Sequence, residues 1–98
     1  IVGSFESGSA RHLIVLGADI ALVGSSKKNG EMRLSTRASN RIVSQGFNLT
    51  KILEKICEVN DGSSGGHPGA AGYNGIGDTE AIIEIAKQES INKIREIS

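Results

Sequence analysis

The sequence predicts a single α/β domain in which helices pack on a mixed β-sheet, and three observations carry that prediction. Leu49, Ile52, Leu53, Ile56 and Cys57 fall at i, i+3, i+4, i+7 and i+8, the apolar stripe of an amphipathic helix. Residues 31–38 alternate instead, with Met32, Leu34, Thr36 and Ala38 on one side and Glu31, Arg33, Ser35 and Arg37 on the other, the period of a half-buried strand. Helical and strand-like segments then interleave along the chain, which suits helices layered on a sheet. The 98 residues are enough for one modest core, so residues 1–98 read as one domain.

In chain order, Ile1, Val2 and Gly3 read as a short strand, and residues 4–8 as a polar lead-in with caps at Ser7 or Ser9. Ala10, Leu13, Ile14 and Gly17 have helical spacing, which predicts a short helix over residues 9–16, ended by Gly17, with Arg11 and His12 on its solvated side. Ile20-Ala21-Leu22-Val23 is apolar on both faces, as in an inner strand covered on both sides. Asn29-Gly30 is a hairpin signal, because both residues tolerate positive φ, and it joins this strand to the alternating run. Ile42 and Val43 anchor one helical turn that Gly46 ends. Asn48 caps the amphipathic helix and Asn60-Asp61-Gly62 closes it. Residues 71–76 form a strand with Tyr73 exposed. Asp78 or Thr79 starts the last helix, whose apolar face is Ile82, Ile83, Ala86, Ile94 and Ile97, widened by Ile85 and Ile91.

Composition excludes several functions. The formal net charge is zero, which argues against strong non-specific binding to nucleic acid or an anionic membrane. Phe5, Phe47 and Tyr73 are the only aromatic residues, too few for a base-stacking platform. Cys57 is the single cysteine and lies in an apolar stripe, so it reads as a core residue, with a reducing, cytoplasmic setting as the default. No run is apolar and long enough to cross a membrane. The chain begins at Ile1 and its one methionine is Met32, which reads as a C-terminal piece of a longer protein.

The stretch Ser64-Gly65-Gly66-His67-Pro68-Gly69-Ala70-Ala71-Gly72 holds four glycines, the only proline and one of two histidines. Adjacent glycines let a backbone approach another object closely, and their amides can converge into an anion-binding nest. His67 adds a polar tip and Pro68 fixes φ after it. The other reading of these residues is a tight small-residue turn between a helix and a strand.

Gly65-Gly66-His67-Pro68 followed by Ala70-Ala71-Gly72 resembles the GGGHP-x-AAG signature of the DHH-associated domain, with Ser64 in place of the first glycine. Ser35-Thr36-Arg37-Ala38 is similar to that family's S-x-R-S pattern, with alanine for the second serine and Ser39 one place later. The resemblance implies the substrate-binding domain of a DHH-family phosphoesterase of the RecJ-like exonuclease or oligoribonuclease branch. It implies that Arg37, Ser35, Gly65, Gly66, His67 and Pro68 hold a phosphate of a nucleic acid or nucleotide, and that a catalytic DHH domain of the same chain, holding Mn²⁺, lies upstream. A planar guanidinium such as that of Arg37 suits bidentate phosphate recognition. The alternative is a non-catalytic RNA-binding module like the C-terminal domain of alanyl-tRNA synthetases; a docking or oligomer surface along residues 82–97 is a third.

No catalytic or metal-ligating set is visible in the chain itself. Asp19, Asp61 and Asp78 are scattered, the two histidines are far apart, and no Asp-His-His motif occurs. No lysine follows the glycines, so the run is not a P-loop, and Gly72-x-x-Gly75-x-Gly77 lacks dinucleotide-fingerprint spacing. These residues alone are therefore expected to hydrolyse nothing and to need no cofactor of their own.

Overall fold

The structure is a computed structural model that describes the backbone of residues 2–6 and 9–97 and the side chains from His12 to Ile97. The strands are β1 (Val2–Glu6), β2 (Ser9–Leu16), β3 (Ile20–Ser26), β4 (Glu31–Ala38), β5 (Gly62–His67) and β6 (Ala70–Ile76). The helices are α1 (Asn40–Ser44), α2 (Leu49–Val59) and α3 (Thr79–Ile97). The strands form one sheet in the order β1-β2-β3-β4-β6-β5. Every described pairing in it is antiparallel.

That order follows from the connections. Tight turns join β2 to β3, β3 to β4 and β5 to β6, so each of these pairs forms a hairpin, and β1 pairs antiparallel with β2. The Asn29-Gly30 turn takes the expected positive φ at both residues, 63° and 75°. The longer connection through α1 and α2 carries the chain past β4, and β6 returns beside it.

Helices α2 and α3 cover one face of the sheet. Ile14, Ile20, Leu22, Met32, Leu34, Ala71 and Tyr73 point into that side and pack against Leu49, Ile52, Leu53, Ile56, Ile82, Ile83 and Ala86. Burial of this apolar surface is the main stabilising term. Cys57, Ile94 and Ile97 lie at its margin. The cap expected at Asn48 is present: its side-chain oxygen accepts from the Thr50 amide at 2.9 Å. Asp78 caps α3 in the same way, accepting from the Glu80 amide at 3.0 Å. No described helix is long and apolar enough to cross a membrane.

Several expectations change: residues 4–6 belong to β1 and are not a lead-in, and Ser9 opens β2 and caps no helix. Residues 9–16 are strand β2, not a helix: a short apolar run does not fix its own period, and here it is paired on both edges. The cap expected at Ser7 lies outside the described residues. Strand β3 is an inner strand covered on one side only, since Ile20 and Leu22 are buried while Ala21 and Val23 are half-exposed. Tyr73 is buried, not exposed; its hydroxyl donates to the Asp61 carbonyl at 2.7 Å and accepts from Asn60 Nδ2 at 2.7 Å. Gly62 and Gly75 make room for that ring, because a Cβ at either position would lie within 2.6 Å of the Tyr73 hydroxyl. His12 likewise lies on a strand, and is half-buried.

Candidate functional site

The signature run is neither a loop nor a nest. Gly62 to His67 is strand β5, the outer strand of the sheet, and Pro68-Gly69 is the two-residue turn into β6. On an outer strand, alternate backbone amides face away from the sheet and stay open to an acceptor. The turn itself is pinned: the Pro68 carbonyl accepts from the Leu49 amide at 3.0 Å, at the first turn of α2, and the Gly69 carbonyl accepts from the Ala38 amide at 2.9 Å. Ser64 sits opposite Tyr73 and needs no positive φ, so a serine fits there without strain.

Register places the remaining residues. Cross-strand partners share a face, and Arg37 pairs with Ala70, which pairs with His67. One row of the uncovered face is therefore Arg37–Ala70–His67. The next is Ser35–Gly72–Gly65 and the third is Arg33–Asn74–Ser63. The two strand spacings between Arg37 and His67 put their Cα atoms about 10 Å apart. Ala70 between them is too small to obstruct a ligand held by both. Arg33, Arg37 and His67 are exposed, and neither arginine is in an ion pair among the described residues.

The middle row has no side chain on two of its three strands. A Cβ at Gly65 would meet nothing within 4 Å, and at Gly72 only the Leu34 carbonyl at an ordinary 3.5 Å. Neither residue has positive φ. Neither backbone conformation nor packing requires glycine at these positions, and their effect is a floor of bare backbone flanked by Arg37 and His67. Gly66 differs. Its φ is 137° and a Cβ there would collide with the Ala70 carbonyl, so the fold itself requires it.

The end of β4 beyond Arg37 is fixed by a polar clasp. Ser39 caps α1, its hydroxyl accepting from the Ile42 amide at 3.2 Å and donating to Asp19 Oδ1 at 2.6 Å. The Ser39 amide donates to the Asp19 carbonyl at 2.7 Å, and Arg41 pairs with Asp19 Oδ2. The Ser39 hydrogen bond is the largest influence on the Asp19 carboxyl; burial opposes it and Arg41 reinforces it, leaving the group below its ordinary range. Ser39 thus serves as a cap and brace for the strand end. A shallow concavity of about 310 Å³ beside it is lined by Val15, Asp19, Ala21, Arg37 and Ser39, among others.

The structure brings Arg37, Ser35, Gly65 and His67 to one face. Gly66 supports the hairpin, and Pro68 contributes a carbonyl to α2. Asn74 and Ser63 share that face without having been singled out from the sequence; alternation counted back from the Pro68-Gly69 turn was the signal that could have found them. The donors on this face are cationic or neutral and suit an anion. Among the described residues no group of three or more His, Cys, Asp or Glu is arranged to hold a metal ion. A separate concavity of about 520 Å³ between α2 and α3 lies on the helical layer, and of its lysines Lys55 is paired with Glu89 at 2.9 Å.

Comparison with known proteins adds three findings. The family model of the DHHA1 domain matches residues 13–96. The uncharacterized protein MJ0988 of Methanocaldococcus jannaschii is 36% identical over 92 residues, covering 93% of this chain and 28% of that protein. No solved structure gives a significant match.

Proposed function

The chain belongs to the DHHA1 domain family, which is associated with DHH-family phosphoesterases, and we propose that it is the substrate-binding half of such an enzyme, gripping a phosphate of a nucleic acid or nucleotide. The carrying observation is the bare Gly72–Gly65 floor beside the Arg37–Ala70–His67 row on the uncovered sheet face. A ligand phosphate lies against this floor. The Arg37 guanidinium donates to two of its oxygens, and the Ser35 hydroxyl and a ring N–H of His67 donate to others. Close approach is possible because Gly65 and Gly72 present backbone where other residues would present a side chain.

This chain positions and does not cut. As the family resemblance implies, Mn²⁺ would be held by a DHH domain of the same chain, where it would supply the charge stabilisation for phosphodiester hydrolysis. That domain would close the cleft over the sheet face, where exposed Val15 on β2 and half-exposed Val23 on β3 give it apolar surface to pack against. Fixing the phosphate in line with the metals supplies orientation, which accounts for a large part of many rate enhancements.

The test is Arg37→Ala in the intact protein. A charged hydrogen-bond donor is worth about 1.5–3 kcal/mol, so kcat/KM on a 5′-phosphorylated oligonucleotide should fall by about one to two decades. Unchanged turnover would remove Arg37 from the site.

A further inference from the structure

The uncovered face does not end at the glycine floor. Beyond it lies the row Ser25–Arg33–Asn74–Ser63, polar on every strand it crosses. Arg33 is exposed and in no ion pair among the described residues, and Asn74 and Ser63 are exposed beside it. The core makes no demand on this row, because Met32 and Leu34 on either side of Arg33 carry the burial. Arg33 and Arg37 are four residues apart on one strand face, or about 13 Å by the strand rise. The surface between them is low, since Ser35, Gly72 and Gly65 rise little above the backbone.

We propose that Arg33, with Asn74 and Ser63, forms a second phosphate grip, so that the face takes a single-stranded oligonucleotide running along β4 and is not limited to one terminal phosphate. The proposal rests on the phosphate-binding reading of the Arg37 row and extends it. A nucleotide strand advances about 3.4 Å per residue along the axis when stacked in a duplex, and farther when unstacked, so 13 Å corresponds to about two to four nucleotides. A mononucleotide held at Arg37 does not reach Arg33. A chain of three or four nucleotides engages both arginines, and its intervening phosphates cross the glycine floor without meeting a side chain. Asn74 adds a donor that needs no charge, and Ser63 a hydroxyl at the outer edge.

The experiment compares thymidine 5′-monophosphate with 5′-phosphorylated oligothymidylates of two to four nucleotides, binding to the intact protein and to its Arg33→Ala and Arg37→Ala variants. Arg33→Ala should leave the mononucleotide affinity unchanged and weaken the tetranucleotide about tenfold. The slope of log affinity against log salt for the tetranucleotide should fall by about 0.7, the value for one lost phosphate contact on a single strand. Arg37→Ala should weaken every ligand. Two results overturn the second grip alone: Arg33→Ala silent on the tetranucleotide while Arg37→Ala weakens it, or Arg33→Ala weakening mononucleotide and tetranucleotide equally, which makes one undivided phosphate site. Silence of Arg37→Ala with all ligands overturns the phosphate-binding reading itself, and this extension with it. Arg33 is exposed and outside the core, so its loss does not threaten folding; unchanged thermal unfolding of the variant checks this.

Discussion

Gly65 and Gly66 are neighbours, yet different forces call for them. A side chain at Gly66 would collide with the Ala70 carbonyl and would have to adopt φ near 137°, whereas a side chain at Gly65 would point into open space. Gly66→Ala should therefore destabilise the fold by about 1–3 kcal/mol, the scale of strained backbone at one residue. Gly65→Ala should keep or raise stability by about 0.4–1 kcal/mol, because alanine has fewer unfolded conformations to lose. The same Gly65→Ala change should weaken oligonucleotide binding at least about tenfold by raising the floor. Urea unfolding together with a binding titration separates the two effects, and a Gly65→Ala variant that binds normally would leave the floor without a role. Sequence alone marked both glycines but did not sort them, since their difference lies in what each would touch. Tyr73 was misread for a related reason. One aromatic among glycines looks exposed until Gly62 and Gly75 are seen to make room for its ring, with Asn60 and Asp61 satisfying its hydroxyl.

Strand β4 shows how an element holds the site in place. Its alternation was legible because the pattern runs unbroken from Glu31 to Arg37, and the burial follows it residue by residue. Strand β2 was not legible: Ala10, Leu13, Ile14 and Gly17 satisfy a helical template, and pairing with β1 and β3 overrode it. The clasp at the end of β4 was equally hidden, because Asp19 and Ser39 are 20 residues apart in sequence. That clasp predicts a pH dependence. The Asp19 carboxyl titrates lower in the folded protein than in the unfolded chain, so its stabilisation is fully present above the ordinary aspartate pKa of about 4. It is lost as pH falls through the depressed folded value. Comparing the wild type with Asp19→Asn across an acid series, the stability gap should stay constant above about pH 5 and shrink below about pH 4. A gap that persists undiminished at the lowest pH would show that ionisation of Asp19 contributes nothing to the clasp.

At the scale of the molecule, the layering assigns the two sides of the sheet to different tasks. Helices and core lie on one side; the other carries Glu31, Arg33, Arg37 and His67. The formal net charge of zero does not show where the arginines stand, and for that reason composition gave a poor guide to what the face can bind. A phosphorylated oligonucleotide added to the protein should shift backbone amides of residues 33–37 and 63–74 while leaving those of α3 unmoved, as read by NMR titration. Shifts concentrated along α3 would put the ligand on the helical layer and contradict the arrangement. The α/β class was legible in the sequence because period alone distinguishes α2 from β4. Which face remains open was not, since it depends on where α2 and α3 come to rest.

The alternation of β4 has an evolutionary corollary. Met32, Leu34 and Thr36 answer to folding, while Glu31, Arg33, Ser35 and Arg37 answer to whatever lies on the sheet. Selection can therefore retune recognition at every second codon of one short segment while the interleaved codons hold the scaffold constant. Such a strand offers separate channels for inheritance of shape and innovation in specificity, within eight consecutive residues.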